Sequence, residues 1–234
     1  MELKILGSES SGNLYLLTSD TGETLILEAG IRVQEVKQAL DFDLSNVNGL
    51  IVSHLHQDHA KYAKDYAKAG IMVYSHESTL ERTKVGYRGI SIEHGKLFHA
   101  GSFSIIPITV PHGGVQCFGF LISHPESGKI LFVTDAQFIP HRFNNLTHIL
   151  IEANYSDEAN TTGHGIGAHM ALDTTLKFIQ ANNPHNLRNV VLLHLSATNS
   201  NEKEFIRQVK SVAPHADVTV ADKGVTVNLN IHPF

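Results

Sequence analysis

Four apolar segments of the chain are each followed, within two residues, by a side chain that can bind a metal ion. Short β-branched or leucine-rich runs bounded by polar residues are typical of buried strands. In α/β proteins the ends of such strands meet at one edge of a sheet, where ligands bind. The pattern therefore predicts that one sheet edge gathers these side chains. The pairs are Val52 before His54, Val110 before His112, Val133 before Asp135 and Leu193 before His194.

The first of these strand ends is the richest in potential ligands. The stretch 53–59 reads Ser-His-Leu-His-Gln-Asp-His. In an extended segment residues i and i+2 point the same way, so His54 and His56 can bind one ion together. Asp58 and His59 follow as the chain turns and can face a second ion. Imidazole and carboxylate ligands suit zinc or a similar first-row metal. A polar turn in a chain with 16 histidines is the simpler alternative, but alternating ligands at a strand end are an improbable accident.

Length, composition and net charge indicate the number of domains, the cellular compartment and the kind of surface. The chain has 234 residues, of which 42% are hydrophobic, and it contains no linker-like or low-complexity segment. We expect one domain spanning 1–234. No signal-peptide pattern and no membrane-length apolar run is present. The single cysteine, Cys117, fits a reducing compartment and predicts a cytoplasmic protein. The net charge of −5 argues against a broad nucleic-acid-binding surface.

Helical and strand-like patterns alternate along the chain, which predicts an α/β fold. Apolar spacing indicates helices over 32–40, 62–69, 77–83 and 168–181, with a last helix around 205–212. The helix over 168–181 would place His169 in its first turn. Pro107 interrupts the long strand-like run 103–110, which favours a sheet edge or a bulge there.

The segment 7–13 is a small polar loop between two strand-like runs. Exposed backbone N–H groups and hydroxyls in such a loop can hold an anion. Ser10, Ser11 and Asn13 are therefore candidate substrate-binding residues. A plain hairpin connection explains the same segment equally well.

These motifs together resemble the metallo-β-lactamase-fold hydrolases. The match runs in order through His54-x-His56-x-Asp58-His59, His112, Asp135 and His194 and covers nearly the whole chain. The resemblance implies a four-layer αββα sandwich. It also implies that His54, His56 and His112 bind one metal, that Asp58, His59 and His194 bind the other, and that Asp135 bridges the two.

A second resemblance narrows the branch. The segments 7–13, 152–154 and His194-Leu195-Ser196-x-x-Asn199 are similar to those of WalJ-like (YycJ-like) hydrolases, relatives of tRNase Z of the phosphodiesterase or nuclease type. The chain departs from the family at Glu28, where Asp is usual, so the packing behind the ligands is expected to differ. No long insertion resembles the tRNA-gripping arm of tRNase Z. Cys117 does not occupy a ligand position, which argues against a true β-lactamase.

The resemblance implies a dinuclear hydrolase that holds two divalent ions, with zinc first and manganese or iron as alternatives, and that attacks a phosphodiester through a metal-bridging hydroxide. Asp58 would orient that hydroxide. His169, oriented by Glu152, would protonate the leaving oxygen, with His164 as the alternative donor. The expected substrate is single-stranded DNA, RNA or a nucleotide, and no membrane partner or oligomeric state is indicated. A glyoxalase II-like thioesterase, a lactonase and a non-catalytic metal-binding module are the alternatives.

Overall fold

The computed structural model describes residues 1–156, 169–182, 184–196 and 198–231. The strands are β1 Glu2–Glu9, β2 Gly12–Thr18, β3 Thr24–Leu27, β4 Val47–Ile51, β5 Val73–Ser75, β6 Gly89–Ser91, β7 Phe98–Ala100, β8 Phe103–His112, β9 Val115–His124, β10 Gly128–Val133, β11 His148–Glu152, β12 Asn189–Leu193, β13 Asp217–Val220 and β14 Thr226–Asn228. The α-helices are α1 Val33–Ala39, α2 Gln57–Ala60, α3 Ala63–Lys68, α4 Glu77–Thr83, α5 Leu172–Ala181 and α6 Glu202–Val212.

The described strands form two seven-stranded sheets with similar organisation. The first has the order β14-β1-β2-β3-β4-β5-β6, and the second has the order β13-β12-β11-β10-β9-β8-β7. The hairpin-linked half of each sheet is antiparallel. The other half, β3 to β6 and β10 to β13, pairs in parallel. The parallel strands within each half therefore end at the same edge of their sheet.

Strand alternation distributes the apolar side chains over three separate interfaces. Leu25 and Leu27 face the interior between the two sheets, whereas Ile26 packs outward beneath α1 and α3. In the second sheet, Phe132 faces the first sheet and Val133 packs outward with residues of α5 and α6. Two sheets with helices on both outer faces make the four-layer αββα sandwich, and the expected fold is confirmed.

Several local predictions agree with the structure. Helix α4 has the predicted bounds. Pro107 lies on β8 beyond the short stretch paired with β7, which ends at Ile105, so it occupies the edge that the sequence indicated. A proline is tolerated there because no ladder hydrogen bond requires its missing N–H.

Other local predictions were wrong. Residues 57–60 form a one-turn helix, α2, where a turn was expected, because His59 and Ala60 donate backbone hydrogen bonds to the carbonyl of His56. Helix α5 begins at Leu172, so His169 precedes it and does not lie in its first turn.

The longest helix in the described part of the chain has 11 residues, and none there is long and apolar enough to span a membrane.

Candidate active site

The seven predicted ligand residues meet at one edge of the paired sheets. His54, His56, Asp58 and His59 follow β4, His112 ends β8, Asp135 follows β10, and His194 follows β12. Asp135 and His194 adopt positive φ angles of 49° and 51°. Side chains other than glycine seldom adopt this backbone conformation, and such strain is common where a fold fixes functional groups. The structure therefore brings together the residues that the strand-end pattern selected.

The first group of potential ligand atoms consists of three imidazole nitrogens and Asp135. His54 Nε2 lies 2.9 Å from His56 Nδ1, and His112 Nε2 lies 3.0 Å from the same atom. Asp135 Oδ2 lies 3.8 Å from both His54 Nε2 and His112 Nε2. Tetrahedral zinc, with bonds of about 2.0–2.1 Å, separates its ligand nitrogens by roughly 3.4 Å. Three nitrogens that converge at nearly this spacing suit one divalent ion.

The second group lies on the other side of Asp135. His59 Nε2 is 3.1 Å from Asp58 Oδ2 and 3.3 Å from Asp135 Oδ2. His194 Nε2 is 3.6 Å from Asp58 Oδ2, and His194 Nδ1 is 3.2 Å from Asp135 Oδ1. In each of the two groups the potential ligand atoms all lie within 4.8 Å of one another. Asp135 belongs to both groups, which is the arrangement required of a bridging ligand.

Unsatisfied buried atoms support metal binding at this cluster. His59 and His194 are buried, and His194 Nε2 has no hydrogen-bond partner. Buried polar atoms are seldom left without partners, so a bound metal ion would satisfy this nitrogen. His56 and Asp58 are only half-buried, so the cluster is open to solvent and substrate on one side. The residues present fit two divalent ions.

The carboxylates dominate the electrostatics of the second group. Burial acts to lower the pKa of His194, but the nearby carboxylates of Asp58 and Glu152 outweigh it and raise the pKa to about 10. Burial likewise opposes the charged form of His59, yet Asp135 and Asp58 hold its pKa well above the usual range. In the absence of a metal, the neighbouring carboxylates therefore favour the protonated forms of both imidazoles. A divalent cation can take the place of those protons, since metal ligands must be deprotonated.

Glu152 connects the cluster to His169. Its Oε1 lies 2.6 Å from His169 Nδ1 and 3.3 Å from His194 Nδ1, while its Oε2 accepts backbone hydrogen bonds from Ala136 and Met170. Burial acts to lower the pKa of His169, but the hydrogen bond to Glu152 raises it overall. These four residues, Asp135, Glu152, His169 and His194, also cluster closely enough to hold an ion. Because the carboxylate of Glu152 is already occupied by four partners, we interpret them as a hydrogen-bond network.

Asn13 has a different environment from the one expected of a substrate-binding residue. It is buried, and its amide donates to Asp58 Oδ2 at 3.3 Å and to the carbonyl of Glu9 at 3.2 Å. A close approach of three segments creates this contact. A Cβ on Gly30 would lie 1.8 Å from the carbonyl oxygen of Asp58 and 2.5 Å from the backbone nitrogen of Asn13. The structure therefore places Asn13 behind Asp58, where it can orient that carboxylate.

The other two candidates form the tight turn between β1 and β2, so the segment is the plain hairpin connection that the sequence also allowed. Ser10 and Ser11 are exposed and line a cavity of about 620 Å³ together with Asn154, His169 and His194. The alternative proton donor, His164, lies outside the described residues.

Several described residues that contact the predicted metal-binding residues were not selected from the sequence. Asn154 donates to the carbonyl of His194 at 2.8 Å, and Ser8 Oγ accepts from the backbone N–H of His194 at 3.0 Å. Ser53 Oγ lies 2.9 Å from His54 Nδ1. Asn154 and Ser8 fall within segments that carry the second resemblance, and that was the only available signal for them. No spacing rule connects their side chains to a histidine more than 35 positions away.

Glu28 is buried at a φ of 68°, at the position where the sequence departs from the family. Its Oε2 accepts a hydrogen bond from the backbone N–H of Ser53 at 3.2 Å and lies 3.6 Å from His59 Nδ1. The longer side chain thus still reaches the segment that bears the ligands.

Comparison with known proteins gives consistent similarities. Residues 7–176 match the metallo-beta-lactamase superfamily. The exodeoxyribonuclease YycJ of Bacillus anthracis is 25% identical over 157 residues, which are 62% of this chain but only 58% of that relative's length. This similarity agrees with the branch indicated by the sequence. Among solved structures, the metallo-beta-lactamase fold protein YhfI of Bacillus subtilis superposes with a TM-score of 0.76 at 17% identity, covering 97% of this chain and 98% of that one. The short form of human tRNase Z superposes with a TM-score of 0.67 at 16% identity, covering 99% and 100%.

Proposed function

From the premise that this chain belongs to the metallo-beta-lactamase superfamily, we propose that it is a dinuclear metal-dependent phosphodiesterase that acts on nucleic acid or nucleotides. The observation that carries the proposal is the pair of ligand groups that share Asp135, beside the Glu152–His169 pair. A relative named as an exodeoxyribonuclease and a structural neighbour named as a tRNase support a phosphodiester substrate.

The ligand assignment follows from the two groups. We propose that His54, His56 and His112 bind one ion and that Asp58, His59 and His194 bind the other. Asp135 joins them. Zinc fits these nitrogen and carboxylate ligands best, while manganese and iron suit the same donors. When bound, two such ions would supply Lewis acidity and a nucleophilic water at neutral pH.

The remaining steps belong to side chains of the chain. Asp58 is half-buried, and its Oδ2 faces the cluster, so it can accept a hydrogen bond from the attacking water and orient it. His169 is 23% exposed and directs Nδ1 at Glu152, which leaves Nε2 to donate a proton to the leaving oxygen. Glu152 holds the His169 ring in place and favours its protonated form. Asn13 keeps the carboxylate of Asp58 from rotating away.

We propose single-stranded DNA or RNA as the nucleic-acid substrate. Binding a duplex along its length normally requires many lysine and arginine contacts to phosphates, and the net charge of −5 does not favour such a surface. The buried single cysteine also leads us to place the enzyme in the cytoplasm.

One observation favours a second function, hydrolysis of a thioester or a lactone. The described side chains that line the 620 Å³ cavity include Glu9, Glu202 and Asp222 but no lysine or arginine. An acidic cavity suits a small or uncharged group better than a chain of phosphates. The bridging position of Asp135 is compatible with either chemistry.

A substrate panel separates the two. Metal-loaded protein is assayed on single-stranded DNA, RNA, a cyclic nucleotide, a thioester and a lactone. Hydrolysis of the phosphodiesters is expected, and hydrolysis of the thioester or lactone alone would replace the proposal with the second function. A protein that retains its metal but turns over nothing on the panel would be a metal-binding module.

A matched pair of histidine variants tests the site itself. His56→Ala removes a proposed ligand and should abolish hydrolysis while the circular dichroism spectrum stays native. His99→Ala removes an exposed histidine on β7, away from the cluster, and should retain full activity. Equal activity of His56→Ala and the wild type would refute the assignment of His56 as a metal ligand of the active site.

A further inference from the structure

A second cavity, of about 480 Å³, opens beside the ligand cluster at the end of β8. Its lining includes His112, the paired glycines Gly113 and Gly114 of the β8–β9 turn, Gln116 and Phe138. His112 belongs both to this groove and to the first ligand group. A substrate whose phosphate lies at the cluster can therefore extend a neighbouring group directly into the groove.

Phe138 is one of the few large hydrophobic residues in the described part of the chain that are exposed, with 49% of its surface accessible. Its backbone is nevertheless well anchored. The preceding residue, Gln137, donates a backbone hydrogen bond of 2.8 Å to the carbonyl of Pro111, and Ala136 is fully buried. The half-exposed ring thus lines the same cavity as His112, although its exposure has no benefit for folding.

The β8–β9 turn leaves open space at this groove. Gly113 and Gly114 have positive φ angles of 51° and 81°, which favour glycine. A Cβ added to Gly114 would meet no atom within 4 Å. Gln116 also lines the groove, and a glutamine amide can hydrogen-bond to the edge of a nucleobase. An amide near an aromatic ring suits a heteroaromatic base better than an acyl chain.

We propose that Phe138 is a stacking platform for the base of the nucleotide next to the scissile phosphate. The inference rests on the proposed phosphodiesterase function and specifies how that site would recognise a nucleotide. Exposed aromatic rings bind successive bases of single strands in this way, with little dependence on sequence. A duplex keeps its bases stacked on one another, so this platform would also select single strands.

Direct binding measurements test the platform without relying on turnover. Isothermal titration of the metal-loaded protein with dTMP and with deoxyribose 5-phosphate compares two ligands that share a phosphate and differ by the base. For the wild type, dTMP should bind about 5- to 150-fold more tightly, the range that stacking of one base on an aromatic ring covers. Phe138→Ala should reduce this ratio towards one, and Phe138→Tyr should preserve it.

Phe42 provides the matched control, because it is 74% exposed and follows α1 outside this groove. Phe42→Ala should leave the ratio at the wild-type value. A wild-type ratio near one, no measurable binding of either ligand, or an unchanged ratio in Phe138→Ala would overturn the proposal. If hexanoate binds more tightly than acetate and Phe138→Ala removes that difference, an acyl chain occupies the groove, which also overturns it. Failure of the phosphodiesterase function would appear separately, as no hydrolysis of phosphodiesters on the substrate panel.

Discussion

Replacement of Glu152 by glutamine tests how the protein keeps His169 protonated. Glu152 Oε2 accepts two backbone hydrogen bonds, so the single oxygen of glutamine should occupy that position. The amide NH₂ group would then face His169 Nδ1, where the carboxylate now lies at 2.6 Å. An amide NH₂ group is a donor and cannot accept a hydrogen bond from the protonated Nδ1. The substitution therefore removes the interaction that stabilises the imidazolium form of His169, with little change in shape.

The expected magnitude follows from that one contact. A hydrogen bond to a charged group contributes about 1.5–3 kcal/mol, and one pKa unit corresponds to about 1.4 kcal/mol. Because His169 is only 23% exposed, solvent screens the interaction weakly. We expect Glu152→Gln to remove roughly this free energy from the imidazolium form of His169 and so to lower the pKa of His169. The proton donor is lost as pH rises through that pKa, so the alkaline limb of the kcat profile should move to lower pH by the same amount.

Two measurements on metal-loaded protein follow this shift. One is the pH profile of kcat, and the other is NMR titration of the imidazole Cε1–H signals, with the His169 signal assigned by its absence in His169→Asn. Glu28→Gln serves as the control, because it neutralises another fully buried carboxylate whose contacts are with Ser53 and His59. If the His169 pKa moves by less than about half a unit, or if Glu28→Gln moves it equally, the proposed coupling is wrong.

Three further predictions address other parts of the structure. His169→Asn should lower kcat by about 10²- to 10⁴-fold for an alkoxide leaving group but hardly at all for p-nitrophenolate, and equal losses on both substrates would refute its role as proton donor. Asn13→Ala removes a hydrogen bond to the Asp58 carboxylate. The free energy of unfolding in urea should fall by about 2 kcal/mol, and kcat should fall more than KM changes. A wild-type stability together with a wild-type kcat would contradict this. Burial lowers the pKa of His148 to about 4, whereas unfolded histidine titrates near 6.5, so the wild type should lose about 3 kcal/mol of stability relative to His148→Leu as pH falls from about 6.5 to 4. A difference that does not vary with pH in paired urea titrations would show that His148 is not the cause.

The ligand cluster could be predicted from the sequence because its residues directly follow apolar, strand-like runs. Apolar runs locate the strands, and parallel strands must end at a common edge, so His194 and Asp135 meet although 59 positions separate them. The division of ligands between two ions came from the family resemblance, and the side-chain positions agree with it.

The features that were missed depend on tertiary contacts or on very short elements. Asn13 belongs to a polar segment that is typical of a surface loop, but it lies in β2, where the close approach at Gly30 brings it against Asp58. Strands β6 and β7 have three residues each, too few for alternation to be visible. Phe138 has no sequence signature as a recognition residue, because its exposure results from the path of the segment after Asp135.

The central claim is that seven side chains hold two metal ions that share Asp135, and metal analysis combined with anomalous diffraction tests it most directly. Protein loaded with zinc and freed of excess metal should contain two ions per chain. Crystals should show two anomalous peaks, one between His54, His56 and His112 and one between Asp58, His59 and His194. A stoichiometry of one or zero, or peaks located away from Asp135, would contradict the account.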